Sequence, residues 1–310
     1  MKKEKSYIFG PVPSRRLGFS LGIDLVPYKV CSLNCIYCQL GRTTNKTVET
    51  REYISSSLIL KQLKEVLSSG RKIDYLTFSG SGEPTLNSKI GEMISEIKKI
   101  SKIPIAVLTN GTLLFKKEMR EKLKKADLVI PSLDAVTPSV FKKVNRPYPS
   151  LKIDKIITGL RKFREEFRGK IWLEIMLVAG VNDNPEEIEK FKNAVEAIRP
   201  DLTQINTPVR PPAEKWAKPV SLAKLKNIKK SFGKNCEIIA SFKRKKQSTY
   251  QKDLEKEILT LLSRRPVTLQ EISNVLGAHI NEVIKYLEAL EKEKRIKSRI
   301  YQTKRYYTQI

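Results

Sequence analysis

The sequence predicts an α/β protein made of a partial (β/α)6 TIM-type barrel and a small C-terminal winged-helix domain. From about residue 19 to residue 240, short apolar runs alternate with amphipathic segments of helical length. A polar, basic run then covers residues 241–253, and three helical patterns followed by two β-rich segments come after it. We therefore expect a barrel over residues 1–241, a basic linker over 242–252 and a winged helix over 253–310.

The barrel prediction depends on strands and helices that follow one another in turn. The predicted strands are Leu21–Val26, Tyr75–Phe78, Ile105–Leu108, Leu128–Pro131, Ile171–Val178, Thr203–Asn206 and Glu237–Ala240. The predicted helices are Leu58–Leu67, Ile90–Ile100, Lys116–Lys124, Ile153–Phe167 and Glu186–Ile198. Such alternation makes neighbouring strands parallel, with the helices outside. In barrels of this kind the chemistry lies at the C-terminal ends of the strands.

The C-terminal pattern begins with an amphipathic helix over Leu254–Leu262. Thr268 and Glu271 have the spacing of a capping box, which opens a second short helix. This helix is expected to end at Leu276–Gly277. The remaining predicted elements are a third helix over 280–293 and two strands, Ile296–Tyr301 and Arg305–Thr308, joined by a turn at Gln302–Lys304.

Composition restricts the location and the partners that we expect. No apolar run approaches the ~18–20 residues of a membrane span, and the N-terminal MKKEKSYIFG has no apolar region after its basic residues. We expect a cytoplasmic protein with no membrane partner. The net charge of +27 would attract polyanions, nucleic acid first among them. The alternative is a solvated, lysine-rich surface that indicates no partner.

Three of the four cysteines, Cys31, Cys35 and Cys38, lie in the run CSLNCIYC. Clustered thiols in a reducing compartment indicate metal binding or redox activity rather than a disulfide scaffold. A [4Fe–4S] cluster normally takes four cysteine ligands, so three on one loop would leave one iron open. The alternative is zinc, with Cys236 or His279 as the fourth ligand. Cys236 could equally be a buried small hydrophobe, and His279 could be structural.

The spacing CxxxCxxC with Tyr37 before the last cysteine resembles the signature of the radical SAM superfamily, and the resemblance covers most of residues 7–240. Further motifs follow successive strands in the order that this superfamily shows. They are SGSGEP (Ser79–Pro84), TNG (Thr109–Gly111), SLDA (Ser132–Ala135) and LEIMLVAGVND (Leu173–Asp183). The resemblance implies that S-adenosylmethionine (SAM) binds the open iron and is cleaved reductively to a 5′-deoxyadenosyl radical.

The resemblance also implies cofactor-binding roles for particular residues. Glu83 would accept hydrogen bonds from the methionine ammonium, and Tyr37 would pack beside the adenine. Gly80 and Gly82 would let the backbone approach the cofactor closely, or would mark only a tight turn. The other implied contacts are Asn110, Ser132 and Asp134 near the ribose and the Val178–Asn182 backbone near the base. Ser132 and Asp134 could instead cap a helix.

A narrower resemblance lies in GPVPSRRLGFSLGIDLVP (Gly10–Pro27), which is similar to the opening of little-characterised stand-alone radical SAM proteins grouped near those that assemble the nitrogenase cofactor. Arginine suits bidentate recognition of carboxylate or phosphate. Four arginines are therefore candidates for binding an anionic substrate, with salt bridges inside the loops as the alternative. They are Arg15, Arg16, Arg146 and Arg210.

The predicted third C-terminal helix carries several glutamates and is a poor face for polyphosphate. The two predicted strands after it are more basic and contain tyrosines, which could bind RNA by phosphate contacts and base stacking. Their basic residues are Lys297, Arg299, Lys304 and Arg305. The alternative is a protein-binding module whose tyrosines face its own core.

These observations favour a radical SAM enzyme that acts on RNA such as tRNA, with an electron donor such as ferredoxin or flavodoxin. One alternative is a metallocofactor-maturation or small-metabolite enzyme whose winged helix binds a protein. Another is a cluster-dependent DNA-binding regulator. No second cysteine cluster is present in the sequence, which argues against sulfur insertion from an auxiliary cluster.

Overall fold

A mainly parallel β-sheet covered by helices forms the larger part of the protein in a computed structural model, which describes residues 6–209, 212–239, 252–264, 266–301 and 304–310. The strands in chain order are β1 (Ile8–Pro13), β2 (Phe19–Ile23), β3 (Val30–Cys31), β4 (Asn45–Lys46), β5 (Tyr75–Phe78), β6 (Ile105–Thr109), β7 (Leu128–Pro131), β8 (Lys170–Met176), β9 (Leu202–Asn206), β10 (Cys236–Ile238), β11 (Val267–Thr268), β12 (Ile296–Tyr301) and β13 (Lys304–Gln309).

The helices cover the sheet and build most of the C-terminal unit. They are α1 (Ser56–Leu67), α2 (Ile90–Ile100), α3 (Lys117–Leu123), α4 (Pro138–Val144), α5 (Ile153–Glu166), α6 (Pro185–Ile198), α7 (Leu222–Ser231), α8 (Lys252–Arg264), α9 (Leu269–Leu276) and α10 (Ile280–Lys292). No helix among the described residues has both the length and the apolar composition needed to span a bilayer.

The large sheet has the strand order β1-β2-β5-β6-β7-β8-β9-β10. Strands β2 to β10 in this order pair in parallel, and only β1 is antiparallel, to β2. The sheet is open in the described part of the chain, with β1 and β10 at its two edges. Because the strands are parallel, their C-terminal ends lie at one edge of the barrel. The predicted α/β class with a partial parallel barrel is confirmed.

Apolar patterning explains why these segments form these elements. The β5 segment YLTF has three consecutive buried residues, as expected of a strand covered on both faces. On α2, Ile90, Met93, Ile94 and Ile97 are fully buried at helical spacing, while the lysines in its last turn are exposed.

Residues 252–310 form a C-terminal unit from the described parts of α8, β11, α9, α10, β12 and β13. Its three-stranded sheet has the order β11-β13-β12, with antiparallel pairing. It has a hydrophobic core of its own, which includes Ile258, Val283 and Tyr307. The predicted capping box is present, with Thr268 as the N-cap and Glu271 reaching back to it. Of the predicted linker, residues 242–251 lie outside the described residues, and Lys252 is the first residue of α8. The turn residues Gln302–Thr303 also lie outside the described residues.

We expect the replacement Thr268→Ala to lower the free energy of unfolding of the C-terminal unit by about 1 kcal/mol. The Thr268 hydroxyl accepts the Glu271 backbone N–H at 3.3 Å, and this bond would be lost from the first turn of α9. Thermal unfolding of the full chain measures the effect. Thr260→Ala, on an exposed face of α8, is the control and should leave stability unchanged. Equal stability in both variants would contradict the prediction.

Candidate active site

Of the three clustered cysteines, Cys31 ends β3, and Cys35 and Cys38 lie on the loop between β3 and β4. Each sulfur accepts a hydrogen bond from a side-chain nitrogen. Lys29 Nζ donates to Cys38 Sγ at 3.1 Å, Asn145 Nδ2 to Cys35 Sγ at 3.4 Å, and Asn110 Nδ2 to Cys31 Sγ at 3.6 Å. Such N–H donors stabilise sulfur that carries negative charge, as it does when it binds iron.

In the absence of a metal, the environment of the Cys31 and Cys35 thiols disfavours their deprotonated, negatively charged form. Burial raises the pKa of the Cys31 thiol to about 12, and the Glu83 carboxylate adds to this shift. Burial also raises the pKa of Cys35. Burial lowers the pKa of Lys29, but the Cys38 and Cys31 thiols more than offset this, so its net shift is upward. A coordinated metal deprotonates its thiol ligands, so the donor set fits an iron cluster whose three thiolates carry negative charge beside the Lys29 ammonium.

The alternative ligands considered for zinc are engaged elsewhere. Cys236 lies buried in β10, an edge strand, where it pairs with Thr203. His279 Nε2 lies 2.9 Å from Asp24 Oδ2. Among the residues that the structure describes, no three His, Cys, Asp or Glu side chains are gathered as they would be around a single metal ion.

The SGSGEP loop after β5 requires its two glycines for packing against the chain itself. Gly80 has φ +155°, and a Cβ there would lie 2.4 Å from Cγ of Asp24. A Cβ on Gly82 would lie 2.0 Å from the carbonyl oxygen of Val30. Both distances are far inside contact range, so no side chain fits at either position. This is a physical reason for the glycines that sequence reasoning missed; their predicted approach to a cofactor stays a prediction.

Glu83 is 3% exposed and ties the SGSGEP loop to the end of β6. Its Oε1 accepts hydrogen bonds from Thr85 N at 3.1 Å and from the Thr85 and Thr109 hydroxyls at 2.6 Å each. Its Oε2 accepts the Asn110 N–H at 2.7 Å. Burial raises the pKa of Glu83, although these donors oppose the shift. Glu83 therefore positions Asn110, whatever contact it makes with SAM.

Asn110 connects this loop to the cysteines. Its Nδ2 donates to Ser32 Oγ at 2.9 Å as well as to the Cys31 sulfur, and its Oδ1 accepts the Thr112 N–H at 3.0 Å. The motif residues that follow β5 and β6 are thus joined to the cysteine loop by one chain of hydrogen bonds.

Asp134, after β7, makes an equivalent connection from the other side. Its carboxylate accepts hydrogen bonds from the Tyr37 hydroxyl, from Asn145 Nδ2 at 2.9 Å and from Met176 N at 3.1 Å. Burial raises the pKa of Asp134 to about 6. Ser132 is half-buried, and its backbone N–H continues the sheet. The predicted ribose contacts of Ser132 and Asp134 stay predictions.

The turn after β8 is shaped by the side chain of Asn182, which is fully buried. Its Oδ1 accepts the Val178 N–H at 2.7 Å, and its Nδ2 donates to the carbonyls of Met176 and Asp134 at 2.8 Å each. Asn182 therefore fixes the backbone that was expected to lie near the adenine.

A cavity of about 380 Å³ opens among these elements. Tyr37, Cys38, Gly80 and Gly82 line it. Other lining residues come from the segment before β2, from strands β2, β5, β6, β8 and β9, and from α10. The charged and amide side chains from these elements are Arg15, Arg16, Glu174, Asn206, Asn281 and Lys285.

Arg15 and Arg16 are held in this cavity by the sheet. Arg16 Nη1 lies 2.6 Å from Glu174 Oε2 and 3.2 Å from Gln204 Oε1. Arg15 Nη1 donates to Asn206 Oδ1 at 3.3 Å and to the Ile239 carbonyl at 3.0 Å. Burial raises the pKa of Glu174, but the Arg16 charge and hydrogen bonds outweigh it, and the net shift is downward.

The other two candidate arginines are placed differently. Arg146 Nη1 pairs with Glu214 at 2.5 Å, and Arg42 pairs with the same carboxylate. Arg146 does not line the described cavity. Arg210 lies outside the described residues. Sequence reasoning missed Glu174, whose signal is a charge inside the apolar run of β8.

The basic residues of β12 and β13 divide between the two faces of their sheet. Arg299 pairs with Tyr306 and Lys297 with Thr308. Alternation along the strands places Lys297, Arg299 and Lys304 on one face and Arg305 on the other, where its Nη1 donates to Ser298 Oγ at 2.8 Å. Tyr307 is buried in the core of the C-terminal unit.

Sequence comparison assigns the chain to a family. The profile of the Radical SAM superfamily matches residues 25–192. The UPF0026 protein of Methanocaldococcus jannaschii is 36% identical over 276 residues, 87% of this chain and 85% of the relative. A Brachyspira hyodysenteriae protein named GTPase Obg is 41% identical over 292 residues, but the chain spans only 43% of its length. The GTP 3′,8-cyclase of Clostridium acetobutylicum is 34% identical over 166 residues, 53% of this chain and 48% of that enzyme.

Structural comparison agrees on the fold. The crystal structure of Streptococcus suis SuiB bound to S-adenosylmethionine aligns with a TM-score of 0.54 at 16% identity, over 71% of this chain and 50% of SuiB. A structure described as native anSMEcpe with bound AdoMet aligns with a TM-score of 0.51 at 17% identity, over 69% of this chain and 59% of that one. The chain belongs to the radical SAM superfamily and is a radical SAM enzyme, with a [4Fe–4S] cluster and S-adenosylmethionine as its cofactors.

Proposed function

We propose that this enzyme abstracts a hydrogen atom from a small anionic substrate bound in the cavity beside the cysteine loop. The observation that carries the proposal is the charge of the cavity wall. Among the described residues that line it, Arg15, Arg16 and Lys285 are basic and only Glu174 is acidic. The cluster and SAM supply the 5′-deoxyadenosyl radical when bound, and the protein binds and orients the substrate beside them.

The hydrogen bonds of the two arginines support a binding role. Glu174 and Asn206 hold the guanidinium groups in fixed positions, so little side-chain entropy would be lost when an anion binds. A volume of about 380 Å³ is at the lower end for small-molecule sites. The C. acetobutylicum relative is named for GTP, a polyanion, which agrees with an anionic substrate.

RNA is the second candidate substrate, and the exposed basic face of β12 and β13 favours it. Lys297, Arg299 and Lys304 lie on that face with Tyr306, and the chain carries a net charge of +27. An RNA substrate would have to extend one nucleoside into the cavity. The same charge would favour an acidic electron donor such as ferredoxin or flavodoxin. The alternative of a metallocofactor-maturation enzyme is compatible with this proposal if the metallocofactor precursor is a small anion.

We also propose that residues 253–310 form a winged helix joined to a barrel of residues 1–241 by a linker at 242–252. The order of helices and strands in the described part of the unit and its separate hydrophobic core support this. The grouping with stand-alone proteins near nitrogenase-cofactor assembly stays a prediction based on the GPVPSRRLG motif.

Anaerobic reconstitution with iron and sulfide, followed by SAM and dithionite, tests the proposal. 5′-Deoxyadenosine is measured with a low-mass metabolite extract, separated into anionic and non-anionic fractions, and with bulk tRNA. We expect the anionic low-mass fraction to stimulate product formation. Stimulation by tRNA alone would overturn the proposal in favour of the RNA candidate.

Arg15→Gln is expected to raise the half-saturating concentration of the stimulating fraction about tenfold, because one charged hydrogen-bond donor is lost from the site. Arg161→Gln, on the exposed face of α5, removes the same charge away from the cavity and serves as the control. If both variants behave as the unmodified protein does, Arg15 does not bind substrate.

A further inference from the structure

Helix α10 of the C-terminal unit is docked on the barrel by its N-terminal end. It contacts β1. The ring of His279, the N-cap of α10, stacks on the ring of Phe9 with centroids 4.0 Å apart and an interplanar angle of 11°. Ile280 is buried. In a winged helix this third helix is the one usually placed in a DNA groove, but here its first turn faces the barrel.

A buried hydrogen bond fixes this arrangement to the SGSGEP loop. Nδ1 of His279 accepts the Asn281 N–H at 3.2 Å, so we assign the ring proton to Nε2, which lies 2.9 Å from Asp24 Oδ2. The same carboxylate oxygen accepts the Ser81 N–H at 3.0 Å. The His279 and Asp24 side chains are 6% and 5% exposed. Asp24 therefore connects α10 directly to the loop whose glycines line the cavity.

Two further residues of α10 reach the cavity. Asn281 and Lys285 are four residues apart, so they lie on one face of the helix. Both line the same cavity as Arg15 and Arg16, and both are half-buried. The barrel alone therefore does not complete the wall of this cavity.

We infer that Lys285 and Asn281 are substrate-binding residues, and that the C-terminal unit completes the anion site of the barrel. The ligand is a phosphate or carboxylate group held between Lys285 and the Arg15–Arg16 pair, with Asn281 as a neutral hydrogen-bonding partner. This inference rests on the proposed function, because it assigns a second element to the same site. It makes the C-terminal unit a determinant of substrate specificity.

Calorimetric titration of the full reconstituted chain with inorganic phosphate and, separately, with succinate tests the inference. The two probes distinguish phosphate from carboxylate recognition. The variants are Lys285→Gln, Asn281→Ala and Arg15→Gln, with Lys292→Gln as the control. Lys292 is exposed in the last turn of the same helix, so its replacement changes the net charge equally without touching the cavity.

We expect Lys285→Gln and Arg15→Gln to weaken binding of the preferred probe about tenfold and Asn281→Ala to weaken it a few-fold. Lys292→Gln should stay within about twofold, because exposed charges act weakly at a distance. Lys285→Arg should restore binding, which a purely structural role would not require. Substrate-independent 5′-deoxyadenosine formation by Lys292→Gln should equal that of the unmodified protein, because Lys292 lies outside the cavity.

The outcomes separate the two proposals. If Arg15→Gln weakens binding and Lys285→Gln does not, the inference about α10 is overturned and the proposed anion site remains. If neither probe binds the unmodified protein, or no cavity variant weakens binding, both are overturned. If the Lys285→Gln variant does not fold, probe binding by the Asn281→Ala and Lys285→Arg variants tests the inference about α10 instead.

Discussion

Replacing Cys38 with alanine is expected to abolish both cluster retention and 5′-deoxyadenosine formation. Only three cysteines lie on the loop, so one replacement leaves two thiolate ligands for a cluster that normally has four. It also removes the sulfur that accepts the Lys29 hydrogen bond. Iron per chain, visible absorbance after anaerobic reconstitution and product formation from SAM measure the loss. Cys31→Ala and Cys35→Ala should behave in the same way.

Cys236→Ala is the matched control for this prediction, because Cys236 is the one remaining cysteine and lies buried in β10. It should keep iron and activity, at a stability cost of about 1 kcal/mol for the lost side-chain packing. Loss of the cluster in Cys236→Ala would identify a fourth protein ligand. The iron would then have no open position for SAM, and the mechanism set out above would fail.

Much of the barrel follows from the sequence because its apolar runs are short and well bounded. The predicted limits of β5, β7 and α2 coincide with those in the structure. Five other predicted strands and four other helices of the barrel region are present with small shifts at their ends. In these segments local apolar periodicity and tertiary burial favour the same conformation.

The elements that sequence reasoning missed have weak local patterns. β1 (Ile8–Pro13) contains glycine and two prolines, residues that are unfavourable inside strands; it is tolerated because it is an edge strand. The short β3, β4 and β11 have two residues each. α4 has only seven residues, and α7 carries four lysines. The conformation of these segments is determined by their tertiary contacts.

In the candidate site, too, some features could be predicted from the sequence and others could not. The sequence placed motifs directly after β5, β6, β7 and β8. In the structure Asn110, after β6, donates to the Cys31 sulfur, and Asn145, which also bonds Asp134 after β7, donates to the Cys35 sulfur. The sequence could not reveal that His279 bonds to Asp24, because 255 residues separate the two and no local pattern links them. The docking of α10 depends on that kind of distant pairing.

Glu83→Ala is expected to lower the free energy of unfolding by about 3–5 kcal/mol even when SAM is absent. The Glu83 carboxylate accepts two backbone N–H groups, from Thr85 and Asn110, and two threonine hydroxyls. Its removal leaves these donors buried without an acceptor, at a cost of about 1–3 kcal/mol each before water enters the space. Asn110, whose side chain donates to the Cys31 sulfur, would also lose the hydrogen bond of its backbone N–H.

Glu83→Gln distinguishes this structural role from a role in SAM binding alone. Each carboxylate oxygen accepts one backbone N–H, and an amide can place its oxygen toward only one of them. The amide nitrogen would then face the other N–H, so we expect a loss of about 2 kcal/mol. Denaturant unfolding of the metal-free, SAM-free chain measures both variants, with Glu49→Gln on the exposed surface as the control. If Glu83→Gln were as stable as that control and only SAM affinity fell, Glu83 would act on the cofactor and would not hold Asn110 in place.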